Sequence, residues 1–434
     1  MGAFGLTDTD IRLCEEIAAR QRAMRHDLAR YVAIPTGHNH TPGLEEFRGL
    51  VVERLRVLGA KARFVPGGES APDWLWGGRA NAAAVTGETP VPLERGGKTG
   101  ETPDRPSDDE IPPTALCERA VEDLPSVLLA SHLDTVFAPA DPFREFSIAP
   151  DGATATGPGV VDMKGGIVIA LHALEALDAA GIGCSWSYLF NSDEERGSYH
   201  SAAALRAEAP RHTVGLCTEP ALPGGELAIE RGGSGQFQIE THGRAAHVGR
   251  EFEKGVSAVT GLAQALVEIA RMPDVSRGRI VSVGPLQGGS VTNAVPDRAR
   301  AWGNVRYPSE MVGAEIGADL DALATPADAC PSVTVRRSFN RPAKPLTPAV
   351  ERLAGLARDC AESLDQRMPF ARTGGVCDGN ILQQAGLPTI DTLGVRGGGL
   401  HTPREWIDLS SLVERCQTLA LLMSRIAAGA LAGD

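Results

Sequence analysis

The sequence contains no apolar run approaching the roughly 20 residues that cross a bilayer, so a membrane-spanning helix is not expected. Its opening, MGAFGLTDTD, has neither a basic n-region nor an apolar h-region, and Leu6 stands where a myristoylation motif wants Ser or Thr. The expectation is therefore a cytoplasmic protein. No C-x-x-C pair occurs: Cys14, Cys117, Cys184, Cys217, Cys330, Cys360, Cys377 and Cys416 are scattered, which argues against a disulfide framework and a thiolate zinc site. Excess positive charge is missing too. A formal net charge of -13 argues against nucleic acid or an anionic membrane as the main partner. There is no internal repeat.

What remains is ordinary globular composition, 42% apolar and 22% charged, in 434 residues, a length that favours two domains or one domain with a large insertion. Between Thr7 and Leu58, apolar residues recur at helical spacing and break at Pro35 to Pro42, which predicts two or three helices. Short apolar runs (Val127 to Ala130, Trp186 to Phe190, Val214 to Cys217) then alternate with helical stretches (Gly165 to Ala180, Ser198 to Glu208). That alternation predicts an α/β layer with a mostly parallel sheet. Between strand-like Asn81 to Val85 and Val127, the chain is rich in Pro, Gly, Thr and charge, and residues 87–123 read as an inserted flexible loop.

From about Ile229 the texture changes to strand (Gly235 to Thr241), helix (Val256 to Arg271), two strands (Arg279 to Val283, Ala299 to Arg306), helix (Glu310 to Ala324) and strand (Ser332 to Arg337). This β-α-β-β-α-β order is that of a ferredoxin-like α+β domain. The expected division is residues 1–229 and 343–434 as one α/β domain, with residues 230–342 inserted as a second.

Four runs place acids or a histidine at the end of an apolar strand, where α/β sheets hold their sites. They are LLASHLDTV (128–136), GPGVVDMKGG (157–166), LFNSDEERGS (189–198) and LCTEPA (216–221); a fifth run, GGGLHTPREW (397–406), comes late. Together they offer His132, Asp134, Asp162, Glu194, Glu195, Glu219 and His401. Imidazole and carboxylate ligands without thiolates suit zinc, or alternatively cobalt or manganese, at a catalytic site. A two-metal site needs a bridging carboxylate and about two further ligands per ion. Singly, each run is weak, since a lone H-x-D is more often a surface pair and an acidic pair more often a solvated face.

The ordered set is more specific. H-L-D-T-V, G-x-x-D-M-K-G, D-E-E-x-G-S, E-P and G-x-H-x-x-x-E follow one another as in the M20 metallopeptidases, which this sequence resembles along almost its whole length and which include glutamate carboxypeptidases, acetylornithine deacetylase and succinyl-diaminopimelate desuccinylase. The resemblance implies a zinc-peptidase-like catalytic domain, with the inserted domain serving as lid and dimer contact of a homodimer. It implies that His132, Asp162 and Glu219 bind one zinc, and Asp162, Glu195 and His401 the other. Asp134 would orient the His132 ring. Glu194 would be the general base that takes a proton from a metal-bridging water.

In the inserted domain, GRAAHVG (243–249) matches a family motif whose histidine helps hold the oxyanion, here His247, and in dimeric relatives that histidine reaches the other subunit's site. Asn293 and Arg306 match residues that bind the substrate carbonyl and carboxylate, although Arg306 also fits an ordinary strand-surface salt bridge. Gly374, Gly375 and the main chain of Arg396 to Gly399 are candidates for the pocket lining. His26, His38, His40, His172, His200, His212 and His242 have no assigned role.

Glu at position 219 points to carboxypeptidases and N-deacylases within the family, and the spacing around His401 is closer to the glutamate-carboxypeptidase branch. The implied reaction is hydrolysis of an amide bond beside a C-terminal carboxylate in a small-molecule substrate, with an N-acyl amino acid deacylase as the alternative. A metal-binding scaffold without catalysis is the reading from another class. Its signature would be loss of Glu194 or a ligand, and all six positions are intact. The 87–123 insertion departs from the family pattern.

Overall fold

The computed structural model describes residues 5–37, 40–69, 71–75 and 111–431. The chain forms two compact units, one of Met1–Ser70, Ser107–Arg231 and Lys344–Asp434, the other of Ala71–Pro106 and Gly232–Ala343. Among the described residues no helix is long and apolar enough to cross a membrane.

The first unit starts with three helices, α1 (Asp8–Ala19), α2 (Gln21–Val32) and α3 (Thr41–Val57). Helix α1 opens with a capping box: the Thr7 hydroxyl accepts the Asp10 N–H at 3.2 Å, and the Asp10 carboxylate accepts the Thr7 N–H at 2.8 Å. Two of the donors that every helix start leaves unpaired are thereby satisfied.

The central sheet is built from β1 (Lys61–Val65), β2 (Thr114–Arg119), β3 (Ser126–His132), β4 (Ser185–Asn191), β5 (Val214–Cys217) and β6 (Thr389–Ile390), in the spatial order β1-β2-β4-β3-β5-β6. The β3–β4, β3–β5 and β5–β6 pairs are parallel, whereas β1–β2 and β2–β4 are antiparallel. Strands β4 and β5 are buried at every position, as expected of parallel strands covered on both faces. Helix α4 (Lys164–Ala179) crosses from β3 to β4 and is buried on nearly all sides, against the sheet and against α5 (Ser411–Ala427). That explains its unbroken run IVIAL, where an exposed helix would show a polar stripe.

The sequence reading of 87–123 needs correction. Residues 87–110 and the run Asn81 to Val85 lie outside the described residues, but Thr114–Arg119 is strand β2, and Ala115, Leu116 and Cys117 are wholly buried. The strand escaped notice because the Pro- and charge-rich residues before it set the texture of the stretch. Both of its faces are covered, so it shows no alternation.

In the second unit, strands Gly233–His242, Ile280–Gly288, Arg298–Tyr307 and Ser332–Arg341 form an antiparallel sheet, in which Arg298–Tyr307 and Ser332–Arg341 flank Gly233–His242 and Ile280–Gly288 takes one edge. With helices Ala258–Ile269 and Glu310–Asp321, this is the β-α-β-β-α-β order expected. Phe237, Ile239 and Thr241 alternate inward, and a separate core forms around Phe237, Ile239, Leu262, Val305, Ile316 and Leu320. Residues 71–75, read from sequence as part of the first domain, belong to this unit: the Trp302 indole N–H donates to the Trp74 carbonyl at 2.7 Å.

Because Leu116 packs in a cluster with Leu128, Leu189 and Leu205, Leu116→Ala should cost about 2–5 kcal/mol of stability. A urea unfolding midpoint unchanged by the substitution would show that β2 is dispensable to the core.

Candidate metal centre

His132, Asp134, Glu194, Glu195 and Glu219 stand where parallel strands end, whereas Asp162, expected at the end of an apolar strand, and His401 come from loops of a smaller antiparallel sheet. His132 is the last residue of β3, and Asp134 follows two positions later. Glu194 and Glu195 form the single turn after β4, closed by Gly197 at φ +98°. Glu219 lies two residues past β5, and Asp162 just precedes α4. His401 comes from the loop between the paired segments Gly397–Gly398 and Trp406–Asp408.

These residues meet in two groups that share Asp162. In His132, Asp162 and Glu219, one ligand atom from each lies within 4.8 Å of the others; the same holds for Asp162, Glu195 and His401. His132 Nε2 is 3.1 Å from Asp162 Oδ1 and 3.9 Å from Glu219 Oε2. On the other side, His401 Nε2 is 3.4 Å from Asp162 Oδ2 and 3.2 Å from Glu195 Oε2. The donor set is nitrogen and oxygen only, which fits a divalent zinc, cobalt or manganese ion in each group.

Close packing of main chain makes the meeting possible. A Cβ on Gly166, in the first turn of α4, would lie 2.0 Å from the Thr218 carbonyl, and one on Gly394 would lie 2.5 Å from the Glu219 carbonyl. Only glycine lets α4, which carries Asp162 at its start, come this close to the segment bearing Glu219.

Asp134 stands against the His132 ring and does a second job. His132 Nδ1 lies 2.8 Å from the main-chain carbonyl of Asp134 and 3.5 Å from its carboxylate. That carboxylate also accepts the N–H groups of Glu194, at 3.2 Å, and Glu195, at 3.0 Å. Two N–H donors from the turn after β4 are thereby satisfied by one carboxylate. One residue thus holds both the histidine and the acidic turn.

Burial opposes every charge in the site, and neighbours decide which charges persist. His132 is penalised by burial, yet its hydrogen bonds to Asp134 and Asp162 and the charge of Glu219 raise its pKa well above the ordinary histidine value. Hydrogen bonds to Asp162 and Glu195 push His401 up to about 10. Burial pushes Glu219 up to about 8, while Asp162, although buried, is held well below the carboxylate range by hydrogen bonds from both histidines.

A cavity of about 470 Å³ opens on Asp162, Glu194, Glu195, Glu219 and His401. Gly375 and Gly397 to Gly399 line it, as the sequence suggested; Gly374 and Arg396 are not among its lining residues. Among the lining residues that sequence reasoning did not single out are Arg231 and Cys377, neither of them in a ligand group. Glu405, noted only as a letter of the late motif, is 1% exposed and receives three main-chain N–H bonds from the segment bearing Asp162.

His247, Asn293 and Arg306 belong to the second unit. There, the segments Ala246–His247 and Ala294–Val295 pair, the Val248 N–H donates to the Asn293 carbonyl at 3.0 Å, and both His247 and Asn293 are exposed. His247 Nδ1 accepts the Gly249 N–H at 3.2 Å, which leaves Nε2–H to donate outward. Arg306 is half-buried and bonded to the Ser234 hydroxyl, the Asn304 side chain and the Val305 carbonyl. Among the described residues it has no ion pair, which disfavours the surface salt-bridge reading.

Residues 128–425 match the model of peptidase family M20/M25/M40. Carboxypeptidase G2 of Pseudomonas sp. (strain RS-16) is 29% identical over 318 residues, covering 70% of this chain and 74% of that one. The succinyl-diaminopimelate desuccinylase of Methylorubrum populi is 30% identical over 316 residues, 66% of this chain and 79% of its own. Among solved structures, a tripeptidase of Staphylococcus aureus superposes with a TM-score of 0.72 at 19% identity, covering 94% of this chain and 99% of that one.

Asp162 lies between two histidines whose pKa values their carboxylate neighbours raise, so an ion binding there would displace protons. Metal binding near pH 7 should therefore release protons, and apparent affinity should rise with pH until His401 is neutral near its pKa of about 10. Calorimetry in buffers of different ionisation enthalpy measures the release; affinity independent of pH between about pH 6 and 8 would contradict this description.

Proposed function

We propose that this chain, which belongs to peptidase family M20/M25/M40 and is a hydrolase of C–N bonds, cleaves a peptidyl or N-acyl amide bond beside a C-terminal carboxylate, as a carboxypeptidase does. The observation that carries the reading is the pair of ligand groups sharing Asp162 at the mouth of the cavity. Asp162 would bridge two zinc ions, with His132 and Glu219 completing one ligand set and Glu195 and His401 the other. When bound, such ions supply Lewis acidity toward the scissile carbonyl and lower the pKa of the attacking water.

The chain's own groups do the rest. Glu194 shares its turn with Glu195, the Asp134 carboxylate fixes that turn by its N–H groups, and both glutamates line the cavity. The Glu194 carboxylate takes the proton of the attacking water and delivers it to the leaving nitrogen. His247 donates Nε2–H to the developing oxyanion, Asn293 binds the substrate carbonyl, and Arg306, lacking an ion-pair partner among the described residues, holds the terminal carboxylate in bidentate fashion. We assign the second unit the roles of lid and dimer contact in a cytoplasmic homodimer, with His247 serving the partner's site.

A second reading, an N-acyl amino acid deacylase, draws on the similarity to the desuccinylase. The two differ in the acyl side of the substrate. A panel of dipeptides and N-acyl amino acids, varied at each end and run on zinc-loaded protein, separates them, and no hydrolysis across the panel would sink both.

Glu194→Gln should retain its metal, verified by elemental analysis, while kcat falls by about 10²- to 10⁴-fold. Near-normal turnover in the metal-replete variant would remove Glu194 from the mechanism.

His247→Ala should lower kcat by roughly 10²- to 10³-fold, and Arg306→Ala should act chiefly on KM. If His247 works across the dimer, mixing the His247→Ala and Glu194→Gln proteins should restore activity well above either parent. Mixtures that stay inactive despite proven subunit exchange would confine His247 to its own chain.

A further inference from the structure

Glu405 is a buried carboxylate that shares the interior with the Lys164 ammonium, whose pKa burial lowers and the Glu405 charge raises, but among the described residues no cationic side chain hydrogen-bonds to it. A buried carboxylate is costly unless its oxygens are satisfied. Here main chain satisfies them: Oε2 accepts the Gly159 N–H at 3.0 Å, and Oε1 accepts the N–H groups of Val161, at 2.9 Å, and Asp162, at 3.0 Å. Successive N–H groups converging on one anion form a cradle that fixes the local course of the chain. In this case the cradle ends on the residue whose carboxylate both ligand groups share.

Glu405 also closes the loop that carries His401. The Gly398–Trp406 pair bounds that loop, the Glu405 N–H donates to the Thr402 carbonyl at 3.1 Å, and the Thr402 N–H donates to Gly399 at the same distance. Gly399, at φ +71°, turns so tightly that a Cβ would sit 2.3 Å from the Arg404 carbonyl. On its far side Trp406 pairs with Thr156, just before the segment bearing Asp162. The two loops are remote in sequence, and the Glu405 side chain ties one to the other.

The remaining ligands depend on different supports. His132 ends β3 and Glu219 follows β5, two strands paired directly in parallel register through Ala130 and Cys217. Glu195 is held by Asp134. Among the described residues Glu405 holds one member of the first group, Asp162, but two of the second, Asp162 and the loop of His401.

We propose that Glu405 is a positioning residue that locks the Asp162 turn to the His401 loop and so sets the affinity of the ligand group formed by Asp162, Glu195 and His401. The proposal rests on the two-metal reading above. It predicts asymmetry: loss of Glu405 should weaken that group far more than the group of His132, Asp162 and Glu219, whereas a residue that merely fills the core would weaken both alike or neither.

The test is a calorimetric titration of metal-free, full-length protein with zinc, comparing wild type, Glu405→Gln, His401→Ala and the double variant. In Glu405→Gln one of two sites should lose about 10- to 100-fold in affinity while the other changes by less than about threefold, the scale expected when a group supporting a metal ligand is lost. His401→Ala should abolish that same site, and adding Glu405→Gln to it should change the remaining site no further. Cobalt absorption gives an independent count of occupied sites. Should Glu405→Gln fail to fold, Glu405→Asp, which keeps the charge but shortens the reach, takes the same readout and should show the same split. A Glu405 variant that titrates like wild type, or loses affinity equally at both sites in step with its melting temperature, overturns the proposal. A wild-type protein that binds fewer than two ions overturns the two-metal reading and this inference with it.

Discussion

The arrangement depends on one electrostatic constraint: Asp162, Glu195 and Glu219 converge, with Asp134 and Glu194 beside them. Two like charges about 5 Å apart repel by roughly 3 kcal/mol at an effective dielectric of about 20. A fold can hold such a cluster only by supplying positive charge or donors to each member. The two histidines supply charge to Asp162, main-chain N–H groups satisfy Asp134, and Glu219 responds by taking up a proton more readily. Divalent cations would answer the same constraint more strongly than protons.

The supports extend behind the ligands. Asp193, beside Glu194, is pushed up to about 7 by burial and accepts the His200 N–H at 2.7 Å. Asp378 accepts bonds from Asn191, at the end of β4, at 2.5 Å and from the Ser198 hydroxyl at 2.6 Å. The acidic turn is thus gripped from Asp134 on one side and from Asp193 and Asp378 within the core. This is the expense of placing ligands on loops: a ligand at the end of a strand inherits the strand's rigidity, whereas one on a turn needs its own hydrogen bonds.

Sequence periodicity carried the parallel strands, the long buried helix and the β-α-β-β-α-β order, because each rests on contacts within a short stretch of chain. The candidate ligands came from another source: four runs end apolar stretches and a fifth comes late, and only their order, as in the M20 metallopeptidases, gave them roles. What escaped depends on partners far away in sequence. Strand β2 is a strand because β1 and β4 flank it, and Trp74 joins the second unit through Trp302. That the Asp134 carboxylate serves the Glu194 turn as well as the His132 ring follows from a pairing some 60 residues apart in sequence. Glu405 reads as a charged residue near a proline until the Gly159 to Asp162 main chain is brought against it.

Inserting one compact unit into another raises a closure problem, since the host must hold two chain ends together across the insertion. Closing a loop costs entropy that grows slowly with its length, so a local clamp can offset it. Arg231 and Lys344, the residues at which the first unit is left and re-entered, exchange main-chain hydrogen bonds in both directions at 2.9 Å. Their side chains share Asp391: the Arg231 guanidinium reaches one oxygen at 2.6 Å and the Lys344 ammonium the other at 3.1 Å. All three are buried, and the two cations keep Asp391 ionised against the penalty of burial. Buried ion clusters contribute little net stability, but they penalise any other register, because a displaced member would be left charged and unpaired. Arg231 also lines the cavity, its Nη1 donating to the Gly375 carbonyl at 3.1 Å. The clamp that fixes where the insertion begins and ends therefore forms part of the wall beside the ligands, and an error in one would be an error in the other.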